Sequence, residues 1–253
     1  MPTSEEVVRQ TLERLGYPTG LGAAEARSNF NGILRQVFEH TLIVLEEHEK
    51  RVDADRLLPA LVDMHEKAVR AERLRMRQEG DDAAAFREAV VRLLRGWHEL
   101  LRGLFLSVSQ SRKQRGGKDF EHQIRFLLQI ARVPHEMQPR RERADFILPS
   151  SAMLYSERTI AVVLSVKRTL RERWQQVVRE LQDMSCPNTF LATADDAIPE
   201  GKVRDIKNHN IYLVTWDEVK EAHYTSEPMV LGYSAFMSRL ETRFLPLWQS
   251  AQT

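Results

Sequence analysis

Asp145, Ser165-Val166-Lys167 and Glu180, with Glu121 further upstream, are the residue types that phosphodiester hydrolysis needs. Cutting such a bond at neutral pH calls for a divalent metal that neutralises charge and makes hydroxide available. Carboxylates must hold that ion, because Mg²⁺ takes hard oxygen ligands. A cation should also sit beside the attacked phosphate and the nucleophilic water. Asp145, Glu180 and Glu121 can supply the oxygens, and Lys167 can supply the cation. Taken singly, each has a bland explanation: an acidic residue before a strand serves a turn, and a lysine after a strand is solvated. The combination carries the reading, because spacing and context agree.

The elements that must position these residues are legible in the apolar pattern. Asp145 directly precedes a short strand at 146–148. Lys167 closes the β-branched run 159–166, which reads as a buried strand. A charged residue at the end of such a strand is displayed at a sheet edge or mouth, within reach of a ligand. Glu180 falls on the next helix, whose apolar stripe is Trp174, Val177, Val178 and Leu181. It stands seven positions after Arg173 and so shares a helix face with it. Glu121 lies near the start of an amphipathic helix over 120–131. Further strands are predicted at 189–193 and 211–216, and a closing helix at 233–247. Strands alternating with helices predict an α/β domain with a mixed sheet.

The first hundred residues read differently. Helices are predicted over 4–15, 23–51 and 54–78, and again from about 83. Gly16 ends the first, and Gly80-Asp81-Asp82 breaks the third. His40, His48, His65 and His98 are scattered over them as ordinary helix residues. The polar, glycine-containing stretch 111–118 reads as a break before the second region. The expectation is an α/β (α+β) chain: a helical N-terminal domain over 1–105, then a mixed sheet flanked by helices over 106–253.

Composition narrows the function classes. The formal net charge of +1 excludes a general polyanion coat. Charge is local instead: nine Lys/Arg face five Asp/Glu between Arg112 and Asp145, which suits a cleft that grips a polyanion. The single cysteine, Cys186, excludes an internal disulfide and a cysteine-cluster zinc site. No apolar run is long enough to span a bilayer, and the N-terminus lacks a signal-peptide pattern. A cytoplasmic protein is expected.

Asp145, then Ser165-x-Lys167, then Glu180 thirteen positions on, resembles the rearranged PD-(D/E)XK active site of certain Type II restriction endonucleases. The likeness is to the EcoRII C-terminal, NgoMIV and PspGI group, which acts on CCGG-type or gapped CC…GG sites. The segments 111–121 and 164–174 carry it most closely, and it covers roughly residues 106–253. The helical N-terminal part is similar to that of BsaWI. One departure is Ala144, where the family has proline.

The resemblance implies a Mg²⁺-dependent, site-specific deoxyribonuclease of a restriction-modification system, with a restriction-endonuclease-like fold. Asp145 and Glu180 are then the metal ligands. Lys167 orients or activates the attacking water, and Glu121 assists the metal site. The implied products carry a 5′-phosphate and a 3′-hydroxyl. Arg171-Glu172-Arg173 is a donor-acceptor-donor triplet able to read adjacent C and G pairs in the major groove, and its counterpart in the family reads the CC:GG half-site. Arg112, Lys113, Arg115 and Lys118 are expected to contact phosphate or groove, with Gly116 and Gly117 permitting close backbone approach. The expected partners are double-stranded DNA and further copies of the chain, as homodimer or higher oligomer, since palindromic sites match two-fold symmetry. The N-terminal helices are expected to supply oligomer or flanking-DNA contacts. Two readings stay open beside this one: a repair or structure-specific PD-(D/E)XK nuclease, and a non-catalytic DNA-binding or scaffold protein.

Overall fold

The computed structural model describes residues 2–17, 19–79, 83–139, 143–170 and 174–251. Its helical first part contains α1 (Ser4–Arg14), α2 (Ala23–Ser28), α3 (Phe30–Val52), α4 (Leu58–Glu79) and α5 (Ala83–Ile130). The second part runs β1 (Glu136–Met137), β2 (Phe146–Leu148), α6 (Ser151–Ser156), β3 (Val162–Lys167), α7 (Trp174–Asp183) and β4 (Thr189–Thr193). It continues with α8 (Glu200–Asn208), β5 (Tyr212–Thr215), α9 (Asp217–His223), β6 (Val230–Gly232), α10 (Tyr233–Arg239) and α11 (Leu245–Ser250). The expected α/β class with a helical N-terminal region and a mixed sheet is what forms.

Helix ends follow local chemistry. Gly16 terminates α1 with φ +75, a left-handed conformation that glycine adopts without steric cost. The helix expected over 23–51 is two helices. Asn29 breaks it with φ −118 and ψ 32, in keeping with the tendency of Ser and Asn to prefer local bonds over helix propagation. Between α3 and α4 the expected gap is a single π-helical turn over Asp53–Leu57. The largest departure is at 111–118. No break occurs there, and α5 continues through it. Two glycines cost a helix only about 1 kcal/mol each, and burial of Phe120, Ile124, Leu127 and Leu128 on the far side outweighs that.

The six strands lie in the order β1-β2-β3-β4-β5-β6. β1, β2 and β3 are antiparallel neighbours, and β3 to β6 are parallel. β3 and β4 are buried along almost their whole length, as parallel strands covered on both faces must be.

The contacts divide the chain into two compact units, residues 1–3 with 43–115 and residues 4–42 with 116–253. This differs from a single cut at 105/106, because α1, α2 and the first half of α3, as far as Leu42, belong with the sheet. Phe38 meets Phe120 and Trp216 edge-on, each at 5.8 Å between ring centres. Phe30 packs on Tyr233. Arg27 donates to the carbonyl of Ala131 at 2.7 Å, and Asn31 Oδ1 accepts from the Asp217 amide at 3.1 Å. Trp216, Phe120, Phe30 and Tyr233 are fully buried, and each such side chain stabilises the unit by roughly 1.5–3 kcal/mol. Among the described residues no helix is long and apolar enough to cross a membrane.

Candidate active site

Antiparallel pairing of β2 with β3 builds the centre of the site. Phe146 stands opposite Leu164, so the residue before β2 lies against the last residues of β3. Asp145 therefore reaches all three residues of the Ser-x-Lys motif. Its Oδ2 accepts from Ser165 Oγ at 2.8 Å, from the Val166 amide at 2.7 Å and from Lys167 Nζ at 2.8 Å. All three donors arrive on one oxygen, Oδ2, which leaves Oδ1 as the oxygen available to a ligand. The Asp145 side chain is 13% exposed and that of Lys167 33% exposed. The pair is thus partly withdrawn from water, where charge-assisted hydrogen bonds gain strength.

Glu121 comes to the same place from α5. Its Oε2 accepts from Gln138 Nε2 at 2.8 Å, just beyond β1. Burial holds its carboxyl above the ordinary glutamate range, and the charge of Asp145 pushes in the same direction. Lys167 and the Gln138 amide pull it back, followed by Lys118. Glu121, Asp145 and Lys167 therefore act on one another electrostatically. Two carboxylates that repel each other, one with an oxygen that takes no hydrogen bond among the described residues, suit a hard divalent cation.

Glu180 is partly buried on α7, and its Oε1 accepts from Gln176 Nε2 at 2.8 Å, one turn earlier. The structure does not join it to Asp145 and Lys167. Among the described residues no group of three or more His, Cys, Asp or Glu side chains converges on a metal-sized space. The helix itself forms as expected, with Val177, Val178 and Leu181 buried.

The expected DNA contacts are placed unevenly. Arg171, Glu172 and Arg173 lie outside the described residues, as do the side chains of Arg112 and Lys113. Arg115 is half-buried and Lys118 exposed on α5. Lys118 and Glu121 line an open cavity of about 470 Å³ together with His122, Arg125, His135 and Gln138. Burial holds both histidines below the ordinary imidazole range. Gly116 does permit a close approach, but of a side chain from its own chain. A Cβ there would collide with Nη1 of Arg168. Arg168 follows Lys167 directly, and its guanidinium lies 5.4 Å from the centre of the Phe38 ring. Gly117 has open space around its Cβ position.

Several supporting residues escaped the sequence. Ser165 belongs to the Ser-x-Lys motif, but its task, orienting Asp145, follows only from the pairing of β2 and β3. Gln138 carries no signal at all. Leu170 is buried and held on both sides: its amide donates to Asp195 Oδ2 at 2.5 Å, and its carbonyl accepts from Lys202 Nζ at 2.5 Å. Neither Asp195 nor Lys202 is distinguishable in sequence from a surface residue.

Comparison with known proteins bears on what this arrangement does. The family model described as EcoRII C terminal matches residues 93–237. The Type II restriction enzyme SsoII of Shigella sonnei is 30% identical over 141 residues, 51% of this chain and 46% of that protein. The matched part thus spans less than half the length of that curated relative. Among solved structures, metal-depleted Ecl18kI in complex with uncleaved, modified DNA superposes with a TM-score of 0.81 at 24% identity, covering 98% of this chain and 80% of the other. The PspGI–substrate DNA complex gives a TM-score of 0.64 at 17% identity, covering 98% and 94%. These two likenesses show a shared fold.

Proposed function

The chain belongs to the EcoRII C-terminal family, and on that footing we propose that it is a Type II restriction endonuclease that hydrolyses double-stranded DNA at a palindromic CCGG-type or CC-N-GG-type site. The observation that carries this reading is the convergence of Ser165, Val166 and Lys167 on Oδ2 of Asp145, with Glu121 in electrostatic contact with the pair.

Each side chain has a task that follows from its surroundings. Asp145 is held rigidly by three donors, so its free oxygen is oriented before substrate arrives, and preorganisation of this kind lowers a barrier without reorganisation during reaction. Lys167 is tied to Asp145 and still one-third exposed. Its ammonium can therefore reach a phosphate oxygen or the attacking water. Glu121 supplies a second carboxylate from α5. Asp145 and Glu121, with Glu180 from α7 as the further ligand, are the residues to hold Mg²⁺, which when bound lowers the pKa of water and neutralises phosphate charge. The proposed ends are 5′-phosphate and 3′-hydroxyl. Arg171-Glu172-Arg173 is the proposed reader of the half-site, with Arg112, Lys113, Arg115 and Lys118 on the backbone.

Incubation of the purified chain with plasmid DNA and Mg²⁺, followed by sequencing of fragment ends, tests the proposal. The expected result is discrete fragments with a common end sequence, abolished by Asp145→Ala or Lys167→Ala while DNA binding persists. Smeared products, or none with any divalent metal, would remove it.

A further inference from the structure

We propose that Arg168 is a DNA-contacting residue: its guanidinium, seated against Phe38 and Gly116 beside Lys167, binds a non-bridging phosphate oxygen within about two nucleotides of the scissile phosphate. This rests on the proposed function and adds a residue to it. Arg168 directly follows Lys167. Successive side chains of an extended chain point to opposite sides. Lys167 turns to Asp145, and Arg168 turns the other way, to α3 and α5. Its guanidinium lies 5.4 Å from the centre of the Phe38 ring. A Cβ at Gly116 would overlap its Nη1 and come within 3.3 Å of its Cζ.

What this seat lacks is an acceptor. A guanidinium carries a fixed fork of N–H donors and keeps its charge. No hydrogen bond or ion pair joins Arg168 to another of the described residues. Other ring-stacked arginines differ. Arg35, 4.3 Å from the Trp216 ring centre, is paired with Glu218 and Asp196. Arg239, 4.3 Å from the Tyr212 ring, donates to the hydroxyl of that tyrosine. Arg125 lies over Phe126 and pairs with Glu5. Arg243, over Phe244, is exposed and so solvated. Arg168 is half-buried. A charge partly withdrawn from water without an acceptor is costly, and an anionic ligand recovers that cost.

Position and rigidity point the same way. Helix α5 brings Gly116 to Arg168 and Glu121 to Asp145 and Lys167. Five residues of helix advance about 7.5 Å, and a DNA strand advances about 3.4 Å of axis per nucleotide. The two places are thus about two nucleotide steps apart. The backbone around Arg168 is pinned on both sides. Lys167 is tied to Asp145, and Leu170 is held by Asp195 and Lys202. The fork is therefore oriented before DNA arrives, so little freedom is lost on binding. A phosphate fits better than a base edge. It is anionic and compensates the charge, whereas a neutral base leaves the charge uncompensated.

Equilibrium binding of the full chain in EDTA tests this without cleavage. The probes are a duplex carrying the site read from the wild-type digest and a scrambled duplex of the same length, each over a salt series. Arg168→Gln should weaken binding to both by the same factor, roughly three- to tenfold, and reduce the slope of log K against log salt by about 0.9. Arg168→Lys keeps the charge and should keep most of that slope. Arg243→Gln removes a charge of the same kind and should leave the slope at the wild-type value. Neutral methylphosphonates placed one at a time around the cut position then locate the contact. One position within about two nucleotides of the cut should weaken wild-type binding and have no further effect in Arg168→Gln. Wild-type slope and affinity in Arg168→Gln overturn the inference. So does a lower urea midpoint with an unchanged slope, which would assign Arg168 to the fold alone. A loss confined to the cognate duplex would make it a base reader, and an equal slope change in Arg243→Gln would make the effect one of total charge; either overturns it. A wild type that binds neither duplex strikes the proposed function as well.

Discussion

Removing the Ser165 hydroxyl is the sharpest probe of how the site is held. Ser165 is 2% exposed and donates to Asp145 Oδ2 at 2.8 Å. A hydrogen bond to a charged group contributes roughly 1.5–3 kcal/mol. In Ser165→Ala, Asp145 keeps the Val166 amide and the Lys167 ammonium on the same oxygen. Its charge therefore stays compensated, and the stability loss should fall at the low end, about 1–2 kcal/mol, or a few degrees in Tm. The catalytic effect comes from orientation. With one of three donors gone, the carboxylate can rotate, and its free oxygen is no longer fixed before substrate arrives. Only the part of the bond that strengthens in the transition state changes kcat, so a loss near 1.4 kcal/mol is expected, which is about tenfold. Single-turnover cleavage of a cognate duplex should show that fall with DNA affinity within about twofold of wild type. Ser165→Thr, which keeps the hydroxyl, should restore most of the rate. A Ser165→Ala enzyme as fast as wild type would refute the claim that this bond orients Asp145.

Other perturbations test neighbouring parts of the argument. Gly116→Ala should displace Arg168 from Phe38; the lost cation–π contact of ~0.5–1 kcal/mol roughly cancels the ~1 kcal/mol of helix propensity gained, so urea unfolding should be nearly unchanged while cleavage slows. Lys202→Met removes the donor to the Leu170 carbonyl and should cost about 1–2 kcal/mol in denaturant unfolding, with Lys202→Arg recovering part of it. Trp216→Ala empties a fully buried site and strands the Ala194 carbonyl that its indole N–H satisfies, which should cost about 3–5 kcal/mol and is measurable by calorimetry. Chelation with EDTA should stop cleavage and leave the melting temperature unchanged, because Lys167 already compensates Asp145 in the fold.

Much of the molecule can be read from local pattern. The β-branched run ending at Lys167, the short strand after Asp145 and the stripe Val177, Val178, Leu181 are each set by neighbours a few residues away, and each forms, although β3 begins at Val162 rather than at 159. Gly16 ends its helix because only a local backbone preference is at stake. The Asp145, Ser165 and Lys167 motif was visible as residue types at a characteristic spacing.

Tertiary structure decided what local pattern leaves open. Antiparallel registry of β2 on β3 brings Asp145 onto Ser165 and Lys167 across about twenty residues of chain. The same packing assigns α1, α2 and the start of α3 to the sheet, because Phe30 and Phe38 find Tyr233 and Trp216 there, although their own sequence reads like the rest of the helical region. It also carries α5 straight through 111–118, where burial of residues beyond the glycines outweighs a weak helix preference. Gln138, Arg168, Asp195 and Lys202 acquire their tasks only from what the fold sets beside them. The physical reason is one of range. Helix and strand periods are short-range preferences written along the chain, whereas a hydrogen bond between distant residues exists only once the core has fixed the register that brings them together.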